Sequence, residues 1–133
     1  ALKYIAMHKR GNPRTMDSLS NEDVPIMQQL EEYFHDFEKR ARKAGIKNWI
    51  LDPGLGFAKT KEQNIEIIEK LPLLKKFGRP ILIGAADKRF TEGNTEHYHL
   101  LALREGADIL RVHNVEAAYL TYAQYQSENK DHK

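Results

Sequence analysis

Leu51-Asp52-Pro53-Gly54-Leu55-Gly56-Phe57-Ala58-Lys59 is the stretch on which the fold turns. The apolar run Trp49-Ile50-Leu51 leads into a carboxylate, and a loop rich in glycine, opened by Pro53, separates it from Thr60. The order is strand, tight loop, helix start. Asp52 then stands at the C-terminal end of a strand, where α/β folds place their chemistry. Pro53 has no N–H to continue a ladder, and Gly54 and Gly56 let the backbone turn sharply and approach a ligand closely.

Upstream, Tyr4-Ile5-Ala6-Met7-His8 reads as a short, mostly buried strand that begins almost at residue 1. Lys9 to Thr15 is a loop with Gly11, Asn12 and Pro13 as turn residues. Residues 20–23 offer N-cap candidates, and Pro25 suits a first helical turn. Ile26, Leu30, Tyr33, Phe34, Phe37, Ala41 and Ala44 recur at helical spacing. Acidic residues lean to the start of this helix and basic ones to its end, in keeping with the macrodipole, and Gly45 suits the left-handed stop.

Downstream, Thr60-Lys61-Glu62-Gln63 has capping-box form and opens a helix through Ile65, Ile68 and Leu71, which Pro72 interrupts and Gly78 closes. Pro80 to Gly84 is a third strand, followed by a polar loop over 85–94. Tyr98, Leu101, Ala102 and Ala107 predict a helix ending near Gly106, and Asp108 to Val112 a fourth strand. Asn114 can cap a last helix that carries Val115, Ala118, Tyr119 and Tyr122 on one face. Strand and helix alternate throughout, which predicts a parallel sheet with right-handed crossovers. One domain is expected over residues 1–126, with a polar, frayed tail over 127–133.

Composition sets outer bounds. A chain of 133 residues with 41% hydrophobic and 30% charged residues is long enough to bury a core and is not disordered by composition. The net charge of +2 gives no argument for nucleic acid but allows a locally basic pocket for an anion. Without cysteine there is no thiolate nucleophile, disulfide or Cys-ligated zinc, which suits a cytoplasmic protein. No apolar run reaches membrane-spanning length, so no membrane partner is expected.

Several chemically suggestive residues follow apolar runs, as strand ends of one site would. Asp52 can accept two parallel N–H bonds from a planar heterocycle such as a 2-amino-4-oxo pyrimidine edge; it can equally cap its own turn. Lys88, in Gly84-Ala85-Ala86-Asp87-Lys88, can donate to a ring or a phosphate, or simply be solvated. Arg111 and His113 flank Val112 and so point the same way on a strand, making a pair of cationic donors for an oxyanion such as pyrophosphate. The alternative for Arg111 is a partnership with a core carboxylate such as Asp52. His8 at a strand end suits a hydrogen-bonded structural role, and His97 and His99 lack a third ligand at metal spacing.

Three stretches together resemble dihydropteroate synthase, the folate-pathway enzyme family. Met7-His8-Lys9-Arg10-Gly11-Asn12-Pro13-Arg14-Thr15-Met16 is similar to the family's Met-His…Gly-x-Pro-x-Thr-Met stretch. Asp52 to Lys59, with Asn64 after it, matches its Asp-Pro-Gly-x-Gly-Phe-x-Lys…Asn signature, and Arg111-Val112-His113-Asn114-Val115 is similar to its Arg-Val-His-Asp-Val. The resemblance implies an α/β fold of the (β/α)8 TIM-barrel family, here only the second half, about four β/α units. It implies condensation of 6-hydroxymethyl-7,8-dihydropterin diphosphate with 4-aminobenzoate to 7,8-dihydropteroate, with release of diphosphate. On that resemblance Asp52, Lys88, Arg111, Met7, Phe57 and Gly84 bind the pterin, Arg111 and His113 hold the diphosphate, and no side chain acts as a nucleophile. Magnesium is implied too, with its ligand in the family's first half and none in this chain.

Two departures shape the expectation. Where the family has Ser-Arg-Lys, this chain has Ala86-Asp87-Lys88, which removes a hydroxyl and reverses a charge near the aminobenzoate carboxylate. The alternative is therefore a non-synthase pterin- or folate-binding barrel, or a degenerate paralogue. A four-stranded half also leaves two open sheet edges, so association with an N-terminal half or a homodimer is expected, and little or no turnover from the chain alone.

Overall fold

Each strand of the computed structural model is followed by a helix. The structure describes residues 4–8, 24–56, 59–85, 91, 94–112 and 114–131. In chain order these form β1 (Tyr4–Met7), α1 (Ile26–Ala44), β2 (Trp49–Asp52), α2 (Lys61–Glu69), a 3₁₀ helix (Leu71–Phe77), β3 (Leu82–Ile83), α3 (Thr95–Arg104), β4 (Ile109–Leu110) and α4 (Val115–Asp131).

β1 pairs with β2 in parallel, from Tyr4 opposite Trp49 to Met7 opposite Asp52. β3 and β4 pair in parallel through Leu82–Ile109 and Ile83–Leu110. A parallel bridge between Leu51 and Ile81, with Leu51 N–H donating to Pro80 O at 2.9 Å, joins the two pairs. Strand order thus follows chain order, as it does around a (β/α)8 barrel. All C-terminal ends of these parallel strands open on one side, and that alignment brings Met7, Asp52, Gly84 and Arg111 to a common mouth.

The two inner strands, β2 and β3, are largely buried, so they read as apolar runs rather than as alternations, whereas Tyr4 and Ile5 of β1 are exposed. Leu51, Ile81 and Ile83 have no exposed surface, and Leu30 and Phe34 from α1 and Ile67 and Ile68 from α2 close over them. Burying each such side chain contributes about 1.5–3 kcal/mol. Local chemistry sets the helix ends. Thr60 Oγ1 accepts from Gln63 N and the Gln63 side chain accepts from Thr60 N, the capping box anticipated from sequence. Gly45 and Gly78 stop their helices in the left-handed region at φ 75° and 66°.

Some expectations are corrected. Pro25 is the N-cap of α1 rather than its first residue, and the first turn carries no acid; the cap candidates at 20–23 lie outside the described residues. β3 and β4 are two-residue cores of the longer runs. The tail from 127 is helical through Asp131, because Glu128 accepts from Arg104 Nε at 3.0 Å and ties the end of α4 to α3. The apolar residues of α4 do not all face inward: Val115 is 75% and Tyr119 70% exposed, while Thr121 is buried.

Gly54 carries a tight backbone requirement. Its φ is +71°, and an added Cβ would lie 2.1 Å from the backbone oxygen of His8. Gly45 has a similar φ of +75° but nothing within 4 Å. Gly45→Ala should therefore lose only the left-handed penalty, about 1–2 kcal/mol, and Gly54→Ala should lose about 3 kcal/mol or more. Urea unfolding of the two variants beside the parent checks this; equal losses would contradict the contact.

Candidate functional site

Asp52 is the last residue of β2 and is 1% exposed. A carboxylate removed from water must be matched by donors, and both oxygens are matched. Oδ1 accepts the backbone N–H of Gly54 at 2.9 Å, which folds the chain back two residues on. Oδ2 accepts Nη1 of Arg111 at 3.2 Å. The turn-capping role and the pairing with Arg111 are thus both realised, in the same side chain. Arg111 follows β4, held by its N–H to Ile83 O at 2.9 Å, and its side chain is 44% exposed toward the mouth.

Gly84 lies just past β3, beneath this pair. A Cβ there would sit 2.7 Å from Nη2, 2.9 Å from Nε and 3.0 Å from Cζ of Arg111. The absence of a side chain at 84 is what lets the guanidinium lie against the strand end. Met7 is the register partner of Asp52 and is half-buried beside it. Next to it, the N–H of His8 donates to Asp52 O at 2.9 Å and extends the ladder by one step.

The glycine loop after Asp52 is held by side chains rather than by its own pairing. Lys59 Nζ donates to Gly54 O at 2.8 Å. Asn64, buried in α2, accepts from Gly56 N at 2.8 Å and donates to Thr60 O at 2.8 Å. Tyr33 reaches from α1 to donate its hydroxyl to Met7 O at 3.0 Å and meets the His8 ring edge-on at 5.1 Å. Burial of Tyr33 pushes its phenol pKa up, keeping it protonated as a donor.

His99 belongs to this scaffold and not to a metal site. It is buried in α3, and its Nε2 accepts the N–H of Ala85 at 3.1 Å, fixing the backbone beside Gly84. Accepting through Nε2 requires the neutral ring, and burial lowers its pKa in the same direction, against the opposing charge of Glu96. Among the described residues no three His, Cys, Asp or Glu side chains cluster as a metal site would. The described residues thus offer no cluster of carboxylates that would hold magnesium.

Of the residues expected from sequence, the structure brings Asp52, Arg111, Gly84 and Met7 together. Phe57, Lys88 and His113, with the Ala86-Asp87 departure, lie outside the described residues. The supporting roles of Tyr33 and His99 were not anticipated. Their only sequence signal is a polar ring among apolar positions of a helix, which does not name a partner.

The profile of the pterin binding enzyme family matches residues 1–113. This chain belongs to the pterin binding enzyme family. The family's curated relatives include dihydropteroate synthase of Synechocystis sp., 39% identical over 127 residues, which cover 85% of this chain and 44% of that protein. Among solved structures, Yersinia pestis dihydropteroate synthase with a sulfonamide drug superposes with a TM-score of 0.89 at 26% identity, covering 98% of this chain and 52% of that one. The Thermus thermophilus enzyme in complex with 4-aminobenzoate gives 0.87 at 26% identity, covering 95% and 56%. The fold is that of part of a TIM barrel, as expected from the sequence. The chain spans about half the length of the relatives it matches.

The neutral state of His99 has a pH consequence within this pterin-binding fold. A histidine whose folded pKa is depressed binds fewer protons folded than unfolded. Its stabilising share is complete above the unfolded pKa, about 6.5, and is lost as pH falls through the folded value. His99→Gln keeps an acceptor for Ala85 but does not titrate. Thermal unfolding at about pH 7.5 and about pH 5 should show a smaller acid loss for His99→Gln than for the parent; identical acid losses would show that His99 is not the group involved.

Proposed function

We propose that this chain supplies the pterin- and diphosphate-binding half of a dihydropteroate synthase. That enzyme joins 4-aminobenzoate to 6-hydroxymethyl-7,8-dihydropterin diphosphate, expels diphosphate and forms 7,8-dihydropteroate. The observation that carries the proposal is the buried Asp52 carboxylate at the mouth, with a guanidinium on one oxygen. A guanidinium and the 2-amino-4-oxo edge of a pterin present the same kind of planar paired N–H donors, so a site that accepts one is built to accept the other.

In this reading Asp52 takes the pterin edge, Gly84 and Met7 line the ring, and Arg111 turns to the diphosphate. Lys88, Phe57 and His113 complete the pterin and diphosphate contacts. As the pterin carbon loses diphosphate, negative charge gathers on the leaving oxygens, and Arg111 and His113 are the groups that would stabilise it. The aniline nitrogen attacks the carbon directly, so no protein nucleophile is required. Magnesium would be held by residues of the family's other half. The cysteine-free composition supports a cytoplasmic setting, and no helix among the described residues is long and apolar enough to cross a membrane.

The faces left open support association with further β/α units or with a second copy. β1 and β4 lie at the two ends of the strand order. Tyr4 and Ile5 on β1, and Val115, Tyr119, Leu120 and Tyr122 on α4, are exposed large apolar residues that a closed barrel or a subunit contact would cover.

A second reading, a pterin-binding barrel without synthase activity, is favoured by Ala86 and Asp87 alone. Calorimetric titration of the full-length protein separates the two. With Asp52→Asn, the amide nitrogen faces other donors, and affinity for the pterin diphosphate should fall by about 10–100-fold. An unchanged affinity would sink the site. Ternary binding of 4-aminobenzoate should follow the pterin in a synthase and be absent in the second reading.

A further inference from the structure

We propose that Arg111 is a selectivity latch. In the ligand-free site it occupies the pterin's own place on Asp52, and only a pterin bearing an anionic 6-substituent gives it another partner. The inference rests on the pterin reading of this site and goes beyond it, because it assigns a residue the discrimination between phosphorylated and bare pterins.

The geometry supplies each part. The Asp52 carboxylate is nearly sealed, with Oδ1 engaged by Gly54 N–H at 2.9 Å and Oδ2 by Arg111 Nη1 at 3.2 Å. The guanidinium fills the space over Gly84, within 3.0 Å of where a Cβ would be. A ring that hydrogen-bonds Asp52 and lies over Gly84 must move it. A bare pterin that does so exchanges a charged donor for neutral ones and leaves a cation to find water, a poor exchange. A pterin diphosphate does the same but offers phosphate oxygens that suit a guanidinium fork. The Arg111 side chain is 44% exposed, so its path from Asp52 to the mouth is open. Anion and ring therefore bind cooperatively through one side chain, and such coupling is reciprocal.

The test titrates the full-length protein with 6-hydroxymethylpterin, which carries no phosphate, with and without inorganic pyrophosphate, in the parent and in Arg111→Met. In the parent, pyrophosphate should tighten the bare pterin by about fivefold or more. In Arg111→Met the bare pterin should bind more tightly than in the parent without pyrophosphate, and added pyrophosphate should do nothing further. No effect of pyrophosphate on pterin binding in the parent overturns the latch, as does weaker binding of bare pterin to Arg111→Met. If the variant does not fold, the parent's response to pyrophosphate decides. A parent that binds no pterin under either condition overturns the pterin reading as well, whereas pterin binding without coupling removes the latch alone.

Discussion

A carboxylate taken out of water at the end of a strand constrains everything placed around it. Asp52 is paired with Met7 of β1 and followed by its own glycine loop, and a carboxylate so buried needs donors, which reach it from two directions. One donor is local, the N–H of Gly54. The other comes from Arg111, 59 residues further along, and reaches Asp52 only if β2, β3 and β4 lie side by side with their ends level. The ion pair thus reports on the sheet, and the sheet is what gives the site its shape.

Close approach explains the glycines of the motif better than flexibility does. Gly54 stands against the His8 carbonyl, where any side chain would collide with backbone. Gly84 leaves room for a guanidinium now and, in the proposed enzyme, for a planar ring. The loop between them and α2 is rigidified from outside by Lys59 and Asn64, whose hydrogen bonds take up backbone groups that a loop cannot pair for itself. These hydrogen bonds help to determine where Asp52 and Gly54 sit.

The sequence is most legible where the signal is local. β2 is found at its expected bounds, the Thr60–Gln63 box is present and Gly45 ends α1, since periodicity and caps depend on neighbours in the chain. Legibility falls where tertiary partners decide. β3 and β4 shrink to two residues because ladder pairing, not apolar run length, sets their ends. The last helix continues past residue 127 because Glu128 finds Arg104, a pairing across 24 residues that no pattern marks. Of the site, Asp52, Met7, Gly84 and Arg111 come together, and the Asp52–Arg111 contact was already one of two alternatives for Arg111. The service of His99 to Ala85 was invisible, because a buried acceptor and a surface histidine look alike in a one-dimensional string.

The account turns on whether residues 52 and 111 interact in the folded protein. A double-mutant cycle on unfolding free energy, using Asp52→Asn, Arg111→Met and the double variant of the full-length protein without ligand, measures that interaction. The account predicts a favourable coupling of about 1–2 kcal/mol, discounted for the half-exposed guanidinium. Additive losses, with coupling within about 0.3 kcal/mol of zero, would mean that the carboxylate and the guanidinium do not share one mouth.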